Sequence, residues 1–163
     1  MKAAAFALSL FLALPAAAQS VDVVGLNGRA HQFSESELAS MPRDHVKLKS
    51  HDGATTIYEG PPLTQLLKRV GAPAGSALRV ADMSTVVLVS AKDGYQVALA
   101  LAETDASIGA NSIILADRAD GKPLGATEGP LRLIVGGDLR PARSARMVTS
   151  IHLVRIRPSD SPR

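Results

Sequence analysis

Alternating and near-continuous apolar runs, separated by turn residues, predict strands over most of this sequence. Val21-Asp22-Val23-Val24-Gly25, then Asn27-Gly28, then Arg29-Ala30-His31-Gln32-Phe33 predict a hairpin, because Asn-Gly tolerates the positive φ angles of a tight two-residue turn. Ser34-Glu35-Ser36-Glu37 has capping-box spacing and predicts a short helix through Leu38 that ends before Pro42. Val46-Lys47-Leu48-Lys49 alternates as a strand does, and His51-Asp52-Gly53 turns into Thr55-Thr56-Ile57-Tyr58. Pro61-Pro62 and Gly71 frame a helix whose Leu63, Leu66, Leu67 and Val70 recur at i, i+3, i+4 and i+7, a single core-facing stripe.

Beyond a loop at residues 73–76 and the segment Leu78-Arg79-Val80, the apolar run at 85–91, the turn Lys92-Asp93-Gly94 and the run at 95–99 predict a second hairpin. A helical turn is expected near residues 101–105, a buried strand at 113–116, a turn at Asp120-Gly121 and a further strand at 131–135 that Gly136-Gly137 ends. The last strand, 151–156, alternates between one buried and one wet face. Strands dominate, helices are few and short, and no βαβ rhythm appears, so the predicted class is α+β with a largely β core.

The first residues add a leader to this picture. Lys2, the apolar run 3–14, Pro15 and Ala16-Ala17-Ala18 are laid out as in a secretory signal peptide. The expectation is a leader over 1–18, a single periplasmic or otherwise secreted domain over 19–157 and a frayed tail over 158–163. The apolar run is shorter than the roughly 20 residues a spanning helix needs, so no membrane span is expected. The sequence holds no Cys, so its fold must rest on apolar burial and hydrogen bonds even in an oxidising compartment.

Several chemistries are excluded by what the residues lack. His31, His45, His51 and His152 sit at no recognised metal-ligand spacing, and Met41, Met83 and Met147 are scattered as core filler would be. Neither a G-x-S-x-G nucleophile turn nor a phosphate-cradling glycine loop is present. With only Phe33, Tyr58 and Tyr95 as aromatics after the leader, no stacking platform for nucleic acid is expected.

The charge distribution is the unusual feature. Residues 129–163 carry seven Arg against two Asp, a net +5, whereas residues 19–128 carry ten basic against thirteen acidic side chains, a net −3. Arg140, Arg143 and Arg146 recur every three residues just after the Gly-Gly turn, and Arg132 sits inside an apolar strand where it must face solvent or pair. Two readings stay open: a solvated or internally paired basic face, or a site for a small anion or an acidic protein partner.

Taken in order, Tyr58-Glu59-Gly60-Pro61-Pro62-Leu63-Thr64-Gln65-Leu66-Leu67, Gly71, Asp93-Gly94-Tyr95-Gln96-Val97, Asp120-Gly121-Lys122-Pro123-Leu124, Gly129-Pro130-Leu131-Arg132-Leu133-Ile134-Val135 and Arg146-Met147-Val148 followed by 151–156 form a pattern that resembles a known family. It is the oxidoreductase molybdopterin-binding domain of the sulfite oxidase family, above all its small exported stand-alone members. The resemblance implies a layered, mostly β fold and makes molybdopterin the candidate cofactor. It also implies that in catalytic members a Cys thiolate ligates molybdenum just before the first of these segments. Here Leu48-Lys49-Ser50-His51-Asp52-Gly53 stands in that place, and Ser or His replaces a soft thiolate poorly. The family's arginines hold anionic groups of cofactor or substrate; Arg132 matches its strand motif, with Arg140, Arg143 and Arg146 nearby.

The leading expectation is therefore a binding module without molybdenum redox activity or a bound cofactor. Arg132, Arg140, Arg143, Arg146, Ser50 and His51 would hold a small anion or an acidic partner, with no metal ligands and no catalytic residue assigned. One alternative is a molybdopterin-dependent oxidoreductase with a non-Cys metal environment. Another is a structural or interaction domain without a ligand.

Overall fold

The first hairpin forms where Asn-Gly places it, between β1 (Ser20–Val24) and β2 (Ala30–Ser34). Its connection is longer than the expected two-residue turn. Gly25 N donates to Arg29 O at 2.8 Å and Gly28 N to Gly25 O at 3.1 Å, and of Asn27 and Gly28 only Gly28 has positive φ, +76°. Asn27 instead accepts from Arg29 N through Oδ1 at 3.0 Å, so the chain uses a three-residue turn closed by a glycine bulge. This is a computed structural model that describes residues 20–50 and 53–156. The leader, His51 and the expected frayed tail lie outside the described residues.

Ser34 caps α1 (Glu35–Ser40) by accepting Glu37 N at 3.2 Å. The reciprocal half of the expected capping box is absent, because the Glu37 carboxylate is taken by His31 Nε2 at 2.9 Å. β3 (Asp44–Lys49) and β4 (Thr55–Gly60) pair antiparallel, and α2 (Leu63–Arg69) follows with its predicted stripe of Leu63, Leu66, Leu67 and Val70 fully buried. β5 (Thr85–Ala91) and β6 (Gln96–Ala100) make the second hairpin, β7 (Ile113–Ala116) is buried throughout, and β8 (Arg118–Ala119) and β9 (Lys122–Pro123) flank the Asp120-Gly121 turn. β10 (Arg132–Val135) and the long β11 (Val148–Arg155) complete the described strands, and the helical turn expected near 101–105 forms as a 3-10 turn over Leu101–Thr104.

The strands form three sheets. A five-stranded sheet runs β2-β1-β11-β5-β6, with β1 and β11 parallel; a four-stranded one runs β3-β4-β8-β9; and β7 pairs with β10 between them. The middle ribbon explains the continuous apolar runs at 113–116 and 131–135. Alternate residues Ile113, Leu115, Leu133 and Val135 join the core beneath the large sheet and α2, while Ile114, Ala116 and Ile134 join a second cluster with Val46, Leu48 and Tyr58 of the small sheet. Both faces are covered, so a polar alternation would fail here. Burying each such Leu or Ile contributes about 1.5–3 kcal/mol.

Close backbone approach ties the layers together at β4. A Cβ on Gly60 would stand 2.1 Å from Leu115 O, and Leu115 N donates to Pro61 O at 3.0 Å. The methionines depart from their expected role as core filler. Met41 is buried, but Met83 is 45% exposed and Met147 adopts a left-handed backbone at φ +50°.

Candidate functional site

By strand alternation, Arg132 lies on the same face of β10 as Ile134 and so points toward the small sheet, not the large one. There it meets Tyr58, which β4 presents between Val46 of β3 and Ala119 of β8. Arg132 is 4% exposed. Its Nη1 donates to Tyr58 Oη at 2.6 Å and to Glu128 Oε1 at 2.5 Å, while its guanidinium carbon stands 4.9 Å from the centre of the Tyr58 ring. Tyr58 Oη in turn donates to Glu128 Oε2 at 3.4 Å, closing a ring of three polar groups. Arg132 Nε is buried and has no hydrogen-bond partner.

Backbone pairing delivers a second arginine to the same place. Leu133 N donates to Ala145 O, Val148 N to Leu131 O and Met147 N to Glu128 O, at 2.8, 2.9 and 3.0 Å. The segment carrying Arg146 thus runs alongside 128–133, and Arg146 Nε comes within 3.8 Å of Glu128 Oε1 while 57% of its side chain remains exposed. The left-handed Met147 lies at the point where this segment turns into β11. A non-glycine residue held there is strained by about 1–2 kcal/mol, which the surrounding hydrogen bonds must sustain.

These groups line a cleft of about 740 Å³ with Leu48, Ser50, Thr56 and Pro141 around the rest of its wall. Burial pushes the Tyr58 phenol above its ordinary value, the Arg132 charge opposing and the Glu128 charge reinforcing the shift. The phenol is therefore a neutral hydrogen-bonding group over the whole physiological range. Two fixed positive charges and one negative charge face the cleft, leaving it cationic.

The six residues singled out in the sequence divide here. Arg132, Arg146 and Ser50 line the cleft together. Arg143 is paired within the molecule: its Nε and Nη2 hold Asp138 at 3.0 and 2.7 Å and its Nη1 holds Glu103 at 3.1 Å. The Asp138 hydrogen bond, followed by Glu103, raises its already high pKa further, so this arginine follows the internally paired reading. Arg140 is exposed at the head of the 3-10 turn at 141–143 and does not line the cleft. His51 lies outside the described residues. Sequence reasoning missed Tyr58 and Glu128. Their signal was present, since a strand arginine among apolar neighbours needs an acceptor and Glu128 is the acidic residue nearest to it in sequence.

Residues 4–162 match the family described as the oxidoreductase molybdopterin binding domain. Among solved structures, the chain is similar to the sulfane dehydrogenase SoxCD from Paracoccus pantotrophus, with a TM-score of 0.62 and 16% identity over 82% of this chain and 37% of that one. The chain therefore spans well under half the length of that protein. No curated protein matches the sequence.

The residues present fit only part of the family's cofactor. Guanidinium, phenol and hydroxyl groups suit an anionic phosphate or oxyanion. A soft metal ligand is another matter: the sequence has no Cys, and among the described residues no three His, Asp or Glu side chains could hold a metal ion. The site does not fit a thiolate-ligated molybdenum.

Proposed function

The chain belongs to the family of oxidoreductase molybdopterin-binding domains, and from that premise we propose that its cleft is an oxyanion-binding site of an exported binding module without molybdenum redox activity. The observation that carries the reading is Arg132, a buried guanidinium on the cleft wall of which only Nη1 makes hydrogen bonds. A buried donor costs about 1–3 kcal/mol or more to leave unpaired. An oxyanion in the cleft offers the incompletely used guanidinium a further acceptor, and Arg146, largely exposed, closes on the ligand from the solvent side. The cleft volume of about 740 Å³ lies within the range of small-molecule sites. The leader pattern at 1–18 supports export.

An acidic partner protein would have to engage Arg140 and Arg146 from outside, because Arg132 and Arg143 are already tied to internal carboxylates. Family membership favours a second reading, a molybdopterin-dependent oxidoreductase, with Ser50 on the cleft wall in place of the thiolate.

Two measurements on protein exported by a host that makes the cofactor separate them. Elemental analysis is expected to find no stoichiometric molybdenum, and titration calorimetry is expected to show an oxyanion binding with an affinity that falls as salt rises and is lost in Arg146→Glu. Stoichiometric molybdenum with pterin fluorescence would overturn the binding-module reading in favour of the second.

A further inference from the structure

A cleft built only to hold an anion would be lined by donors. This one also carries Glu128, whose Oε1 lies 2.5 Å from Arg132 Nη1 and 3.8 Å from Arg146 Nε, between the two cations. The groups facing that carboxylate are Arg132 on β10, Tyr58 on β4 and Arg146 ahead of β11, and Tyr58 already points its hydroxyl proton at Oε2. Glu128 is thereby held by three groups, with 27% of its side chain exposed to the cleft and solvent. An ionised carboxylate can only accept hydrogen bonds. An oxyanion that reaches the Arg132 and Arg146 guanidinium groups therefore meets an acceptor as well as two donors. If every oxygen of the ligand is a bare acceptor, the contact with Glu128 is repulsive. If one oxygen carries a proton, the same contact becomes a short charge-assisted hydrogen bond.

We propose that the cleft selects an oxyanion that retains a proton, a hydrogen phosphate group either free or as a monoester, over a fully ionised one such as sulfate, and that Glu128 is the residue that discriminates. This rests on the oxyanion-binding reading above. Arg132 and Arg146 supply charge and donors, and Glu128 reads the ligand's O–H. Sites that use a polar group in this way reject the analogue lacking the matching hydrogen by large factors. Because Glu128 is partly exposed, the factor expected here is about 100-fold, below the largest that such sites reach.

Titration calorimetry at matched ionic strength with sodium phosphate, glycerol 3-phosphate and sodium sulfate tests this. At pH 6 a phosphate monoester keeps about half of its last proton, and at pH 8 about one hundredth. At pH 6 both phosphates are expected to bind about 100-fold more tightly than sulfate. On going to pH 8 the monoester is expected to weaken about 25-fold, because its protonated fraction falls about 50-fold while the ionised form keeps about one hundredth of the affinity, and inorganic phosphate, which still carries a proton, holds its affinity. That constancy excludes titration of the protein as the cause, and whichever phosphate binds more tightly at pH 6 identifies the source. In Glu128→Gln, sulfate should rise to within a few-fold of phosphate. Equal wild-type affinities for sulfate and phosphate would overturn the selection by Glu128 while leaving the oxyanion site standing; binding of none of the three would overturn the site itself. If Glu128→Gln does not fold, the wild-type ligand and pH series still decides.

Discussion

Strand β4 presents neighbouring residues to two arginines, one on each of its faces, and the two arginines are satisfied very differently. Glu59 meets Arg43, whose three guanidinium nitrogens all find acceptors: Nε donates to Glu59 Oε1 at 2.5 Å, Nη1 to Asp117 Oδ2 at 3.3 Å, and Nη2 to Asp117 Oδ1 and the Glu59 carbonyl. Tyr58 meets Arg132, which is more buried yet uses only Nη1 and leaves Nε without an acceptor. The first arginine has two carboxylates and the second has one. The Asp117 hydrogen bond raises the Arg43 pKa, and Arg43 holds the Glu59 carboxyl below its ordinary value. The cavity of about 290 Å³ beside Arg43 thus has its central charges already paired, whereas the larger cleft beside Arg132 does not. A fully satisfied arginine is a clasp between elements; an incompletely satisfied one keeps the capacity to bind something else.

Gly60 is where the comparison breaks most severely, because it seats β4, and with it both arginine sites, against β7. An added methyl would collide with the Leu115 carbonyl, which is backbone and cannot turn aside. Gly60→Ala is expected to cost about 3 kcal/mol or more, the top of the overpacking range, seen as a lower urea midpoint. A loss under about 1 kcal/mol would mean that the close seat on β7 is not what holds the two sites.

The arginines themselves give the next contrast. Arg43→Ala leaves Glu59 and Asp117 facing each other and is expected to cost about 2–3 kcal/mol, less than a fully buried pair because 20% of the Arg43 side chain reaches water. Arg132→Met is expected to cost less than about 1 kcal/mol, since it removes an orphaned donor and Glu128 can turn toward solvent. Oxyanion binding should disappear in the Met variant and persist in Arg43→Ala if that protein remains folded. Equal stability costs in the two denaturation curves would erase the distinction between clasp and site.

Titration provides the smallest and most selective effect. Glu59 has a folded pKa below its ordinary 4.5, so its contribution is present above that pH and is lost as pH falls through the lower folded value. Tyr58 has a folded pKa above its ordinary 10.0, so its contribution is present below that pH and is lost as pH rises through the higher folded value. Denaturation measured across the pH range should therefore show an acid arm that flattens in Glu59→Gln and an alkaline arm that flattens in Tyr58→Phe. An alkaline arm unchanged by Tyr58→Phe would show that the buried phenol is not its source.

Much of the architecture was legible from local pattern. Asn27-Gly28, Asp93-Gly94 and Asp120-Gly121 mark real turns, the stripe of α2 is buried as its spacing requires, and the apolar runs at 113–116 and 131–135 are the two strands covered on both faces. The detail that failed was local too. The loop after β1 has three residues because Gly25 and Arg29 extend the ladder, and Glu37 prefers a histidine brought close by strand pairing to its own helix terminus. Of the candidate site, the need of Arg132 for a partner could be read from its apolar neighbours. Which arginines share a cleft could not, because equal spacing at 140, 143 and 146 says nothing about the irregular turn that carries them apart.

Sequence alone determined the α+β class, the family pattern, the absence of a thiolate and the cationic C-terminal quarter, since each depends on residue identity and short-range periodicity. Tertiary structure decided which arginine is fully satisfied and which keeps unused donors. That distinction depends on acceptors contributed from distant parts of the chain, Glu103 to Arg143, Glu59 and Asp117 to Arg43 and Tyr58 to Arg132, beside the local Asp138 and Glu128. A charge is written in the sequence, but its satisfaction is a matter of distance, and folding sets the distances.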